Sequence, residues 1–114
     1  MITGLDKDAT VEYICEDDRG TDSPTIFVLG VMSYKDKLHF MGIYTNPERT
    51  IEQIAAANVE LIDKCVKEVR NIKIKGTVTT INKNVADHLD VDVVREIVTE
   101  ITKLNVVTKE EEKN

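Results

Sequence analysis

Apolar and polar positions alternate along Val11-Glu12-Tyr13-Ile14-Cys15, and this period of two predicts a strand. A second strand is predicted over 26–31, where Ile26-Phe27-Val28-Leu29-Gly30-Val31 is the most strand-like run in the chain. Between them lies a polar segment dense in turn residues, Glu16-Asp17-Asp18-Arg19-Gly20-Thr21-Asp22-Ser23-Pro24. Pro24 biases Ser23 toward extended geometry and has no N–H to give to a ladder, so it reads as the first residue of the second strand. The two strands are expected to pair antiparallel through this acidic connection.

A helical period follows. Ser33 has the residue type of an N-cap and Asp36 sits three positions later, predicting a short helix over Tyr34 to Ile43 that buries Leu38 and Met41, with Phe40 as a further candidate. Asn46-Pro47-Glu48 reads as another helix start, with Asn46 as cap and Pro47 at the first helical position. From there Ile51, Ile54, Ala55, Asn58, Ile62, Cys65, Val66 and Val69 recur at spacings of three and four, predicting an amphipathic helix of roughly twenty residues. Ile72-Lys73-Ile74-Lys75 and Val78-Thr79-Thr80-Ile81 alternate again around a turn at Gly76-Thr77, which predicts a short hairpin.

Asp90 or Asp92 caps the last long helix in this reading. Its apolar face is Val93, Val94, Ile97, Val98, Ile101 and Leu104, with Glu96, Glu100 and Lys103 facing water and Asn105 at its end. Thr108 and Glu111 have capping-box spacing, so the tail through Glu110, Glu111 and Glu112 is expected to start a final helical turn. Together these elements predict an α+β fold, with a small antiparallel sheet of two hairpin-like pairs packed against two long amphipathic helices. One domain is expected across 1–114, with a short charged tail at 108–114.

Composition narrows the function classes. The chain has 114 residues, no Trp and only 4% aromatic side chains, so the core must rest on Val, Ile and Leu. Charged residues make up 32% and the net charge is −6, which argues against nucleic acid as a partner. The charge is unevenly spread. Asp6, Asp8, Glu12, Glu16, Asp17, Asp18 and Asp22 face only Lys7 and Arg19 over residues 1–24, a net −5. Lys67, Arg70, Lys73, Lys75 and Lys83 face only Glu68 over residues 67–83, a net +4. The first residues lack a basic stretch followed by an apolar run, and no apolar stretch approaches the length of a membrane span, so neither a signal peptide nor a membrane partner is expected.

Candidate chemistry is sparse. Cys15 and Cys65, fifty residues apart, read as reduced apolar packers rather than a disulfide framework. His39 and His88 read as surface side chains, because no HxxxH or CxxC spacing accompanies them. No GxSxG elbow and no phosphate-cradling glycine loop is present. The acids Glu16, Asp17, Asp18 and Asp22 lack the ligand spacing of a calcium loop and read as a solvated surface. No catalytic, metal or cofactor residue is nominated, and no cofactor is expected. Lys73 and Lys75 are expected to project from one face of an edge strand, where lysines discourage edge pairing and can also seek an acidic surface in the same chain or a neighbour.

Taken end to end, the chain resembles small morphogenesis proteins of tailed bacteriophages. The resemblance is carried by Asp6-Lys7-Asp8-Ala9-Thr10-Val11-Glu12-Tyr13-Ile14, by Glu16-Asp17-Asp18-Arg19-Gly20 and by Ser23-Pro24-Thr25-Ile26-Phe27. Val66-Lys67-Glu68-Val69-Arg70-Asn71, Val94-Arg95-Glu96-Ile97-Val98-Thr99-Glu100-Ile101 and the Glu110-Glu111-Glu112-Lys113-Asn114 close complete it. It is similar to the tail-assembly-chaperone type, and equally to a minor virion component of head, neck or tail. The resemblance implies a non-enzymatic protein that binds other phage structural or assembly proteins, itself included as a homo-oligomer, in the host cytoplasm during assembly or in the virion. It supplies no site residues. From physics alone the expected contact surface comprises Glu16, Asp17, Asp18, Arg19, Asp22, Pro24, Thr25, Lys73, Lys75, Glu110, Glu111 and Glu112. A regulatory or nucleic-acid module using the basic 67–83 region is the alternative.

Overall fold

The computed structural model describes residues 1–105. Four strands form one antiparallel sheet in the order β1-β2-β3-β4, with β1 at Thr10–Tyr13, β2 at Ile26–Gly30, β3 at Val66–Ile74 and β4 at Thr77–Ile81. Helices α1, Tyr34–Tyr44, and α2, Ile51–Cys65, are inserted between β2 and β3, and α3, Val91–Asn105, follows β4. The α+β architecture is therefore the expected one, with the two hairpin-like pairs joined into a single sheet by β2 against β3. The core lies where Phe27, Leu29, Val66 and Val69 of the sheet meet Leu61, Ile62 and Cys65 of α2 and Ile97 and Ile101 of α3. Aliphatic side chains dominate it, in keeping with the low aromatic content. Asn105 is the one buried polar residue of the described chain, and its amide accepts from Met32 N–H at 2.7 Å and donates to the Ile101 carbonyl at 2.8 Å.

Several boundaries differ from the sequence reading, each for a local reason. Ser33 caps α1 as expected, its hydroxyl accepting from Asp36 N–H at 3.2 Å. Leu38 and Met41 are nonetheless exposed, and Phe40 is the buried residue of that helix. This helix has apolar residues on more than one side, so periodicity does not select the buried face; the face turned inward carries Phe40, and one turn on Tyr44 donates to Asn58 of α2 at 2.6 Å. Asn46 does not open α2. Its side chain accepts from Glu48 N–H at 3.0 Å in a turn, and the helix begins one residue after Thr50. Thr50 and Gln53 form a complete capping box, which satisfies two terminal backbone donors reciprocally.

At its other end α2 stops at Cys65, after fifteen residues rather than twenty, and Val66 and Val69 belong to a nine-residue β3. Their helical spacing arises from a bulge, because the register shifts where Val28 and Leu29 face Glu68 and Val66; a second shift follows at Val69/Ile72. The β3–β4 connection is Lys75-Gly76 rather than Gly76-Thr77. Ile74 pairs with Thr77 across it, and Lys75 and Gly76 have φ of 51° and 80°, the two positive values of a type I′ turn. β3 is thus an internal strand, so Lys73 and Lys75 do not form a row on a sheet edge. β2 is internal as well, and the strand after Pro24 offers no free edge; β1 and β4 are the edges. Asp90 resolves the capping choice for α3, accepting from Val93 N–H at 3.0 Å.

Candidate partner-binding cleft

The loop between β1 and β2 is held on both flanks. Glu16–Asp18 forms a short 3₁₀ helix, and Gly20 takes the positive φ of 84° that lets the chain reverse. The Asp18 carboxylate accepts from Thr25 N–H at 2.6 Å and from the Thr21 hydroxyl at 3.2 Å, so this acid folds the loop. Arg19 donates to the Ile14 carbonyl at 3.1 Å and lays its guanidinium over the Tyr13 ring, 5.5 Å from the centroid. On the β3 side, Asn71 sits in the bulge with φ of 59°. Its amide donates to the Ser23 carbonyl at 2.9 Å, the Ser23 hydroxyl at 2.8 Å and the Pro24 carbonyl at 3.2 Å, while the Thr25 hydroxyl donates to the Asn71 carbonyl at 2.9 Å.

On the α3 side, Glu96 is the anchor. It accepts from the Tyr13 hydroxyl and from Glu16 N–H at 2.9 Å, so the expectation that Glu96 faces water is overturned. Spacing alone turns this position toward water, but the carboxylate meets partners 80 or more residues away. The Tyr13 hydroxyl, foremost, together with Glu16 N–H and the Cys15 thiol, holds the Glu96 carboxyl below the usual carboxylate range. Burial, reinforced by the Glu96 charge, pushes the Cys15 thiol up to about 12. Burial pushes the Cys65 thiol up to about 11. Both cysteines are free, and both stay protonated near neutral pH, which suits packing and not nucleophilic attack.

Between these two flanks opens a cleft of about 440 Å³. Phe27, Ile72, Leu89 and Val93 contribute apolar lining, and Asp17, Asp18, Lys73, His88 and Asp90 contribute polar lining. Asp17, Asp18, Thr25 and Lys73, distributed over 57 positions of sequence, are brought together here. Three aspartates against one lysine make the cleft acidic while its apolar residues supply area for a side chain to bury. Such a site fits an extended protein segment that pairs an apolar residue with a basic one.

The other nominated residues lie elsewhere. Glu16 is tied to Glu96 through its backbone, Arg19 is folded onto Tyr13, and Asp22 is exposed in the loop. Pro24 is half-buried beside Asn71, and Lys75 stands in the hairpin turn. Glu110, Glu111 and Glu112, with the capping-box pair proposed for the tail, lie outside the described residues. Arg70 pairs with Glu12 at 2.8 Å and with Glu68, so the acidic start and the basic region meet in part within one chain. His88 and Asp90 enter the cleft although sequence reading gave them no contact role. His39 is exposed beside Glu60 at 3.2 Å, as its surface reading expects. Among the described residues no three His, Cys, Asp or Glu side chains cluster closely enough to hold a metal ion. Compared with family models, curated proteins and solved structures, the chain matches none.

Proposed function

We propose that the protein is a non-enzymatic assembly protein of a tailed bacteriophage, acting by binding other phage proteins in the manner of a tail assembly chaperone. The sequence layout supports the phage assignment, and one structural observation supports the binding role. Asp17, Asp18 and Thr25, on a loop braced from both sides, line a single cleft with Lys73 of β3 and with apolar residues. A rigid loop loses little conformational freedom on binding, which favours recognition by a preformed surface. The elevated thiol pKa values of Cys15 and Cys65 fit binding better than covalent catalysis.

Two measurements test this. Genes adjacent to the one encoding this chain are expected to specify portal, capsid or tape-measure proteins, and one of their products is expected to co-purify with the full chain. The variant Asp17→Lys changes the lining from three acids against one base to two against two, removing its net negative charge, and should reduce that co-purification while thermal unfolding stays unchanged. Adjacent genes of unrelated metabolic function, with no product retained, overturn the proposal. Mass spectrometry of purified particles then separates a chaperone, scarce in virions, from a minor virion component.

A further inference from the structure

Among the described residues the two edges of the sheet, β1 and β4, have no further strand partner, and they differ in a way that makes them complementary. β4, Thr77–Ile81, is the sequence Thr-Val-Thr-Thr-Ile, with every residue β-branched and no charge or proline within it. Natural edge strands are usually blunted by such devices, and β4 carries none. Thr77, Val78, Thr79 and Thr80 are exposed. Because the Lys75-Gly76 turn closes on the Ile74–Thr77 pair, Val78 and Thr80 are the positions whose backbone N–H and C=O point away from β3. The charge near this edge stands at its ends, Lys75 on one side and Lys83 on the other. The opposite edge, β1 at Thr10–Tyr13, is flanked by Asp8 on one side and Glu16 on the other. None of these four flanking side chains makes an ion pair with a described residue.

From this we infer that the β4 edge of one copy pairs antiparallel with the β1 edge of a second copy, in a head-to-tail contact. Four alternating strands leave β1 and β4 running in opposite directions, so a neighbour in the same orientation continues the antiparallel sheet without inversion. Centring β1 on β4 brings the Asp8 end to the Lys83 end of the neighbour and the Glu16 end to the Lys75 end, within one residue of register. The two symmetric alternatives are disfavoured by the same charges. Pairing β4 with β4 sets Lys75 toward Lys83 at both ends, and pairing β1 with β1 sets Asp8 toward Glu16 at both ends. A heterologous contact leaves one free edge of each kind after every addition, so it grows into rings or filaments rather than stopping at a dimer. The contact uses neither the cleft nor its residues, so the proposed function and this inference fail independently.

The test is sedimentation of the full chain over a concentration series at low and high salt. The average mass is expected to rise past two chains of 12.9 kDa with concentration and to fall with added salt. Thr80→Pro, which removes an outward N–H from β4, is expected to sediment as a single chain. Because proline can disturb folding, two charge variants give a second reading: Lys75→Asp with Lys83→Glu, and Asp8→Lys with Glu16→Lys. Each alone is expected to lose the high-mass species, and mixing the two is expected to restore species beyond the dimer. A monomer at every concentration in low salt overturns the inference. So does wild-type association that stops at a dimer, or a mixture of the two charge variants that remains monomeric or stops at a dimer.

Discussion

Asn105 offers the sharpest test of how α3 is docked. Its amide oxygen accepts from Met32 N–H at 2.7 Å and its amide nitrogen donates to the Ile101 carbonyl at 2.8 Å, with only 6% of the residue exposed. Asn105→Ala leaves the Met32 N–H buried without an acceptor, at a cost of about 1–3 kcal/mol, and removes a second bond with a net worth of about 1 kcal/mol. The expected loss is therefore about 2–4 kcal/mol, a large share of the total stability of a domain this size. Urea unfolding should show it as a lower midpoint with an unchanged slope, and thermal unfolding as a fall of about 10 °C or more. Asn105→Asp supplies the control. It keeps the acceptor for Met32 but places a carboxylate in a buried site near carbonyls of the last helical turn, which raises its folded pKa. A group that binds its proton more tightly when folded is penalised as pH rises above about 4, its unfolded value, and is relieved below it. The Asp variant should thus approach wild type in acid, while the Ala variant should not. An Ala variant within about 0.5 kcal/mol of wild type, which is the range of an ordinary surface change, would refute the reasoning.

The Glu96 anchor and the hairpin turn give two further expectations. Glu96 has a depressed folded pKa, so its contribution is present above the ordinary carboxylate value and is lost as pH falls through the folded one. Glu96→Gln removes the charge from hydrogen bonds at a partly exposed site and should cost about 1 kcal/mol at neutral pH, with the gap closing in acid; a gap of the same size at both ends of a pH series contradicts this. Lys75 occupies a left-handed position that costs a side chain about 1 kcal/mol, so Lys75→Asn, which creates the Asn-Gly pair favoured by type I′ turns, should raise stability by a fraction of that. A thermal midpoint equal to or below that of wild type would count against it.

Local signals carried the fold, and distant partners carried the site. Ser33, Asp90 and the alternation around Gly76 are recognisable within a few residues because a cap or a tight turn is a local contact. Val66 and Val69 misled because a bulged strand places buried residues three apart, which imitates a helix turn. Asn71 had a usable signal, since asparagine within a β-prone run is the residue type that tolerates a left-handed bulge. Glu96 had none. Its partners Tyr13 and Glu16 lie at the far end of the chain, and a glutamate on a helix face looks the same whether it meets water or a tyrosine. The charge of the acidic loop marks it as a surface, but its cleft requires His88, Leu89 and Asp90 from beyond β4, which no spacing rule links to Asp17.

Helix α2 passes into β3 with no residue between Cys65 and Val66. Chain length at that point is therefore fixed by geometry. One added residue would either swing α2 by about 100° about its axis or turn the alternation of β3 over, sending Val69 toward solvent. The exposed stretches at residues 45–50 and 82–84 carry no such phase relation and can absorb extra chain. In a family descended from this sequence, insertions would accumulate in those loops, and the distance between Leu61 and Val69 would stay constant even where the residues themselves had changed.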